Sequence, residues 1–110
     1  MTFDEYQERA ITTNLANQDR LKELMQQVLG LGDEAGEVQA IFKKWIRDDD
    51  ADPAKLDKRN VTKELGDVMW YIALVAHDLD IPLSEVVKTN VEKLQSRKQR
   101  GTLSGSGDDR

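Results

Sequence analysis

The sequence predicts an all-α protein built from four helices. Apolar residues recur at spacings of three and four through long runs, most clearly between Leu21 and Trp45, which is the periodicity of an amphipathic helix. The chain contains only 2 prolines, so few positions interrupt these runs. No segment shows the alternation of apolar and polar residues that is typical of a strand.

The composition is that of one folded domain. The chain has 110 residues, of which 38% are hydrophobic and 34% are charged, a balance that predicts a globular rather than a disordered protein. No cysteine is present, which excludes disulfides and thiolate metal sites. The formal net charge of -5 argues against a nucleic-acid partner. No run reaches the ~18 apolar residues of a membrane span, and the first residues lack a signal-peptide pattern, so we expect a cytoplasmic protein with no membrane partner.

The first two helices are predicted from capping and periodicity. Thr2 followed by Glu5 matches a capping box, so helix 1 is expected to begin near Phe3. Polar residues between positions 14 and 19 predict a break, and helix 2 is expected over about 19–47. Interior glycines cost about 1 kcal/mol each relative to alanine, so the cluster at positions 30, 32 and 36 predicts a bend or a close backbone approach.

The segment from Asp48 to Pro53 breaks the helical pattern. Its four aspartates allow two interpretations, additional metal ligands or a solvated turn with a helix cap, and the turn is favoured. Helix 3 is expected from Ala54 or Asp57 to Leu79.

Two further features complete the predicted architecture. The part of helix 3 from Val68 to Ala76 is apolar nearly all round, so one of its sides is expected to meet another subunit. Helix 4 is expected to begin at Pro82 or Leu83. Residues 1–100 would then form one domain, and residues 101–110, which have linker composition, a flexible tail.

Two acidic stretches are the strongest functional signal. Each places two carboxylates three residues apart with a glycine before the second acid, and the four acids are Glu34, Glu37, Glu64 and Asp67. Residues three apart lie on one side of a helix, so packing of helices 2 and 3 would bring four like charges together, which requires a cation. Carboxylates without thiolate or imidazole favour Mg²⁺, with Mn²⁺ as a substitute. For one pair alone, a solvated helix face is the favoured interpretation, but two pairs, each with a glycine and flanked by apolar residues, favour a site.

The histidine and the aromatic residues are less informative. A ferritin-like di-iron centre requires Glu-x-x-His, which the chain lacks, and its one histidine, His77, is interpreted as a helix-face residue. Trp45, Trp70 and Tyr71 could stack on a base, but a core position is favoured for at least two of them.

Cationic and amide side chains are spaced to meet phosphates. Lys44 follows Glu37 by seven residues and returns to nearly the same helix face. Asn90, Lys93 and Arg97 share a face of helix 4 at spacings of three and four. Triphosphate oxygens that a metal does not bind need such partners. For each lysine taken singly, a solvated surface charge is the favoured interpretation.

The order and spacing of these residues carry a family resemblance. Glu34-Ala35-Gly36-Glu37, then Glu64-Leu65-Gly66-Asp67-Val68, then Asn90-Val91-Glu92-Lys93-Leu94 with Arg97, resemble the MazG-like nucleotide pyrophosphohydrolases over roughly residues 21–100. The resemblance implies Mg²⁺-dependent hydrolysis of a nucleoside triphosphate to a monophosphate and pyrophosphate. It also implies Glu34, Glu37, Glu64 and Asp67 as metal ligands, and Asn90 and Lys93 as substrate contacts. Homodimers or homotetramers with composite sites are typical of the family.

The sequence therefore favours a four-helix, homo-oligomeric MazG-like hydrolase. One glutamate of helix 2, Glu34 or Glu37, would orient or deprotonate water. Lys44, Asn90, Lys93 and Arg97 are the candidate substrate contacts. A non-catalytic helical module that binds nucleotide or protein through the same groove is the alternative, and the sequence does not choose a base or a sugar.

Overall fold

Four α-helices form the chain in a computed structural model that describes residues 1–15 and 19–110. They are α1 (Phe3–Thr12), α2 (Arg20–Asp49), α3 (Lys58–Asp78) and α4 (Leu83–Arg100), with a short 3₁₀ helix at Pro53–Lys55. The described residues contain no strand. The all-α, four-helix prediction is therefore confirmed. None of these helices is long and apolar enough to cross a membrane, within the residues described.

The helix starts follow the capping residues of the sequence. The Glu5 amide donates to Thr2 Oγ1 (3.1 Å) and the Thr2 amide donates to Glu5 Oε2 (3.0 Å), so the predicted capping box begins α1. Asp19 caps α2 by accepting from the Lys22 amide at 2.9 Å. Part of the predicted break between these helices, positions 16–18, lies outside the described residues.

The aspartate-rich segment after α2 is a turn followed by a cap. Helix α2 continues to Asp49, two residues past the predicted end, and Asp50 and Ala51 then adopt left-handed φ angles of 50° and 54°. Asp52 accepts from the Ala54 amide (3.0 Å) and begins the 3₁₀ helix. The Trp45 indole donates to the Asp52 carbonyl (2.7 Å), which ties the turn back to α2.

Helix α3 is the centre of the fold. It packs against α1, α2 and α4, and Ala73 and Leu74 are fully buried within the single chain. The buried side chain of Gln7 joins α1 to the turn before α4: its amide nitrogen donates to the carbonyls of Ala73 and Ile81, and its oxygen accepts from the Leu83 amide. Three residues of the apolar run of α3, Ala73, Leu74 and Ala76, are buried, and the other six are half-buried. The subunit contact expected of this run stays a prediction.

A long exposed surface that carries apolar residues lies on α2. One side of this helix is exposed along its whole length at spacings of four and three, and its members are Leu21, Met25, Val28, Gly32, Ala35, Gln39, Phe42 and Ile46. We call this set the α2 stripe. The Cα radius of gyration is 17.1 Å, against about 13 Å for a compact chain of this length. The described chain is thus open, with α2 packed mainly on α3.

Gly30 is the close backbone approach among the glycines of α2. A Cβ added there would overlap the ring of Tyr71, whereas a Cβ added at Gly36 would point into open space among the described residues. Gly30→Ala should therefore destabilise the fold by about 1–3 kcal/mol, because a ring packed between two helices must shift. Gly36→Ala, the matched control, should stabilise it by about 0.5–1 kcal/mol through helix propensity.

Denaturant unfolding of both variants in EDTA measures this difference. Equal stability changes at the two positions would show that Tyr71 does not pack against Gly30 in solution.

Candidate metal and phosphate site

The packing of α2 on α3 brings three predicted acids together. Glu34 comes from α2, and Glu64 and Asp67 come from one side of α3, three residues apart. One carboxylate oxygen from each lies within 4.8 Å of the others. Glu34 and Glu64 are half-buried and Asp67 is exposed. We call these three residues the acidic triad.

Burial and repulsion among the carboxylates of the triad both raise the pKa of Glu34. Burial raises the pKa of Glu34, and the charges of Asp67 and then Glu64 raise it further. Asp33 and Glu37 add smaller effects of the same sign. Every charged group that shifts this pKa is acidic, so the site favours a bound cation.

Glu37, the fourth predicted ligand, lies beside the triad rather than within it. Together with Glu64 and Lys44 it lines a cavity of about 260 Å³ between α2, α3 and the 3₁₀ helix. The half-buried Trp45 lines the same cavity. This arrangement places a cation, Lys44, on the wall of a cavity that borders the acidic triad.

A second cavity, of about 470 Å³, borders the other members of the triad. Glu34, Asp67 and Gly66 line it together with aromatic and polar residues, which are Tyr6, Thr13, Trp70 and Tyr71. The Trp70 indole donates to Thr13 Oγ1 (2.7 Å), and the Trp70 and Tyr71 rings meet edge to face with centroids 4.9 Å apart. Tyr6 and Thr13 were not candidates in the sequence, because nothing in their spacing relates α1 to the acidic pairs.

The predicted α4 contacts form a separate group. None of the residues that line these two cavities belongs to α4. Asn90 is exposed, whereas Lys93 Nζ donates to Asp108 Oδ1 (3.2 Å) and the Arg97 side chain is only 5% exposed. A single chain therefore brings together Glu34, Glu64 and Asp67, with Glu37 and Lys44 adjoining.

The flexibility expected of residues 101–110 concerns motion and stays a prediction.

Comparison with known proteins identifies the family. A model of the MazG nucleotide pyrophosphohydrolase domain matches residues 21–102. The chain belongs to this family. It is also 42% identical over 114 residues to the Gene 37 protein of Mycobacterium phage L5, and the match covers 100% of both proteins. No solved structure matches the chain significantly.

The donor set of this MazG chain suits a hard divalent cation. The triad offers carboxylate oxygens without sulfur or imidazole, which are the ligands that Mg²⁺ and Mn²⁺ prefer. Three acids leave further positions for water and phosphate oxygens, because Mg²⁺ usually keeps several such ligands. The residues present therefore fit the metal that nucleotide hydrolysis would use.

Proposed function

We propose that this MazG-family chain hydrolyses a nucleoside triphosphate to the monophosphate and pyrophosphate with Mg²⁺. The observation that carries the proposal is the acidic triad: three carboxylates from two helices converge, and every charged group that shifts the pKa of Glu34 is acidic. A solvated helix face has no reason to bring carboxylates together in this way, whereas a cation site requires it. Mn²⁺ is expected to substitute.

The residues divide by role. Glu34, Glu64 and Asp67 would hold the metal, with Glu37 as a further ligand from the adjoining cavity wall. When bound, Mg²⁺ would neutralise phosphate charge and favour ionisation of water. Glu34 or Glu37 would accept the proton of the attacking water. That water would form the new bond to phosphorus as the bond to the pyrophosphate oxygen breaks in line.

The cationic residues would bind the phosphate oxygens that the metal leaves free. Lys44 lies on the wall of the cavity that Glu37 and Glu64 share, as does Lys55, so it is the predicted substrate contact that a single chain brings beside the triad. Asn90, Lys93 and Arg97 belong to α4, which packs against α1 and α3. We propose that a second copy of the chain brings such residues to the triad.

The α2 stripe is the surface that we assign to this homo-oligomer. Its exposed members recur with the four-three spacing of a helix–helix seam. A copy of the same chain presents the same stripe, so a two-fold axis would cover both. A homodimer, or a homotetramer built from it, follows from this surface.

The products test the proposed reaction. Incubation of the protein with Mg²⁺ and each of the common NTPs and dNTPs should release monophosphate and pyrophosphate in equal amounts, separated by ion-exchange chromatography. No diphosphate should accumulate, because the bond broken lies between the α and β phosphates. Diphosphate with orthophosphate would contradict the proposal.

The alternative function is a non-catalytic module that binds nucleotide or protein through the same groove. The acidic triad favours the enzyme, because a metal that activates water is needed for hydrolysis and is not needed for binding alone. Saturable nucleotide binding without release of pyrophosphate, with Mg²⁺ and with Mn²⁺, would favour this alternative.

A further inference from the structure

Residues 102–110 fold back on themselves through hydrogen bonds of Arg110, despite their linker composition. The Arg110 guanidinium donates to the carbonyls of Thr102 (3.2 Å), Leu103 (2.8 Å) and Gly107 (2.7 Å). Gly105 and Gly107 have φ angles of +117° and +89°, which side chains other than glycine rarely adopt. We call residues 102–110 the C-terminal clasp.

The clasp is bound to α4 through ion pairs of Asp108. The Asp108 carboxylate accepts from Lys93 Nζ at 3.2 Å and from Arg97 Nη2 at 3.3 Å. Arg97 also donates to the backbone carbonyls of Gly107 and Asp108. Hydrogen bonds from Lys93 and Arg97 lower the pKa of Asp108, so its carboxylate is ionised at neutral pH.

Lys93 and Arg97, the two cations of α4 that pair with Asp108, differ in how far the clasp buries them. The Arg97 side chain is 5% exposed and lies beneath the clasp, whereas the Lys93 side chain is 36% exposed at its edge. A buried guanidinium is stable only when it is paired, and the clasp supplies the acceptors of its Nη2 group, while its buried Nε has no partner among the described residues. Lys93 uses one of its three donors on Asp108, which leaves two for another anion.

We propose that Asp108 is a positioning residue that fixes the Lys93 ammonium group for a phosphate, with Arg97 as the anchor of the clasp. This inference rests on the proposed function, which makes Lys93 a substrate contact. A free lysine side chain loses its rotamer freedom when it binds an anion, and Asp108 imposes that order beforehand. Residues 88–110 carry six lysines and arginines against three aspartates and glutamates, so this segment has a positive formal charge even with Asp108 ionised.

The test compares two neighbouring aspartates. Asp108→Asn removes the charge that holds Lys93, whereas Asp109→Asn is the matched control, since Asp109 makes no ion pair or side-chain hydrogen bond with the described residues. Two quantities are measured with Mg²⁺: KM and kcat for triphosphate, and the Kd of pyrophosphate by calorimetry. Asp108→Asn should raise KM and Kd about five- to tenfold, the range expected when one lysine loses its ordering, and kcat should stay within about twofold.

The variant Asp108→Glu and two contrary outcomes test whether Asp108 positions Lys93. Asp108→Glu should restore most of the affinity, and Asp109→Asn should behave as wild type. Tighter binding by Asp108→Asn would overturn the proposal, because Asp108 would then compete with phosphate. Unchanged KM and Kd with a lowered Tm would also overturn it, since the clasp would only stabilise the fold.

The proposed reaction and the role of Asp108 can fail separately. Absence of hydrolysis by the wild-type protein refutes the proposed function, while the pyrophosphate comparison still tests Asp108. If wild type binds neither triphosphate nor pyrophosphate, Lys93 contacts no phosphate and the role of Asp108 is refuted as well.

Discussion

Glu34→Gln is expected to lower kcat/KM at least about a hundredfold, because even residues that only support metal ligands cost 10–100-fold when changed. The same variant should melt at a higher temperature than wild type in EDTA at neutral pH. Its amide keeps the shape of the glutamate but removes one of the three converging charges of the acidic triad. Loss of function and gain of stability would thus come from the same carboxylate.

The pH dependence of this stability gain has a definite sign. The pKa of Glu34 is raised in the folded state by burial and by Asp67 and Glu64, so folding favours the protonated acid. A raised pKa contributes stability below the unfolded value, and this contribution is lost as the pH rises through the folded value. Glu34→Gln should therefore melt higher than wild type at pH 7. The difference should shrink as the pH falls through the raised folded value and should be largely lost below pH 4.5, the ordinary value of the group.

Addition of Mg²⁺ should reverse the order of stability. A cation that binds only the folded protein raises Tm by mass action, and it should raise the Tm of wild type more than that of Glu34→Gln. Glu8→Gln, an exposed change on α1, is the control and should alter neither Tm nor turnover. Normal turnover of Glu34→Gln with an unchanged Mg²⁺ response would remove Glu34 from the site. The same measurements on Glu37→Gln test the fourth predicted ligand.

Local signals in the sequence predicted the helices well. Thr2 with Glu5 fixed the start of α1, and Asp19 is the cap of α2, because capping depends on residues three positions apart. The four-three periodicity then predicted α2 and α3 as continuous helices. The C-terminal end of α2 lies two residues beyond the predicted one and that of α3 one residue before it, because the turns at Asp50 and after Asp78 decide these boundaries.

The acidic site was predictable in composition but only partly in geometry. Spacing places Glu34 and Glu37 on one side of α2, yet about 60° apart around the axis. The rotation of α2 against α3 decides which acid faces Glu64 and Asp67, and the structure places Glu34 there. That rotation depends on contacts far apart in sequence, such as Tyr71 against Gly30, which periodicity does not contain.

Long-range polar contacts were not predictable at all. Gln7 bonds to residues 66 to 76 positions away, and Asp108 returns to α4 through a turn whose composition resembles a linker. An apolar helix face likewise predicts burial without saying what covers it. The run in α3 is buried or half-buried against the chain's own helices, whereas the α2 stripe is exposed.

Val28→Lys is expected to convert the proposed homo-oligomer into monomers. Val28 belongs to the α2 stripe and is 44% exposed in the single chain. A two-fold seam would place two lysines close together in an apolar contact, where burial of a charge is costly. Lysine is a better helix former than valine, so the isolated chain should keep its helix content. A loss of assembly would then reflect the surface and not unfolding.

Val91→Lys provides the matched control, because Val91 is 45% exposed on α4 and receives the same change outside the stripe. Light scattering at micromolar concentration should show a mass of 12.5 kDa for Val28→Lys and a multiple of it for wild type and Val91→Lys. Turnover should fall with the loss of assembly, since the triad would lack the cations of the second copy. Wild type that is already monomeric refutes the oligomer, and dissociation by Val91→Lys alone places the seam on α4. An active Val28→Lys monomer would show that one chain completes the site, with the cations of the adjoining cavity wall, Lys44 and Lys55, in place of those of a second copy.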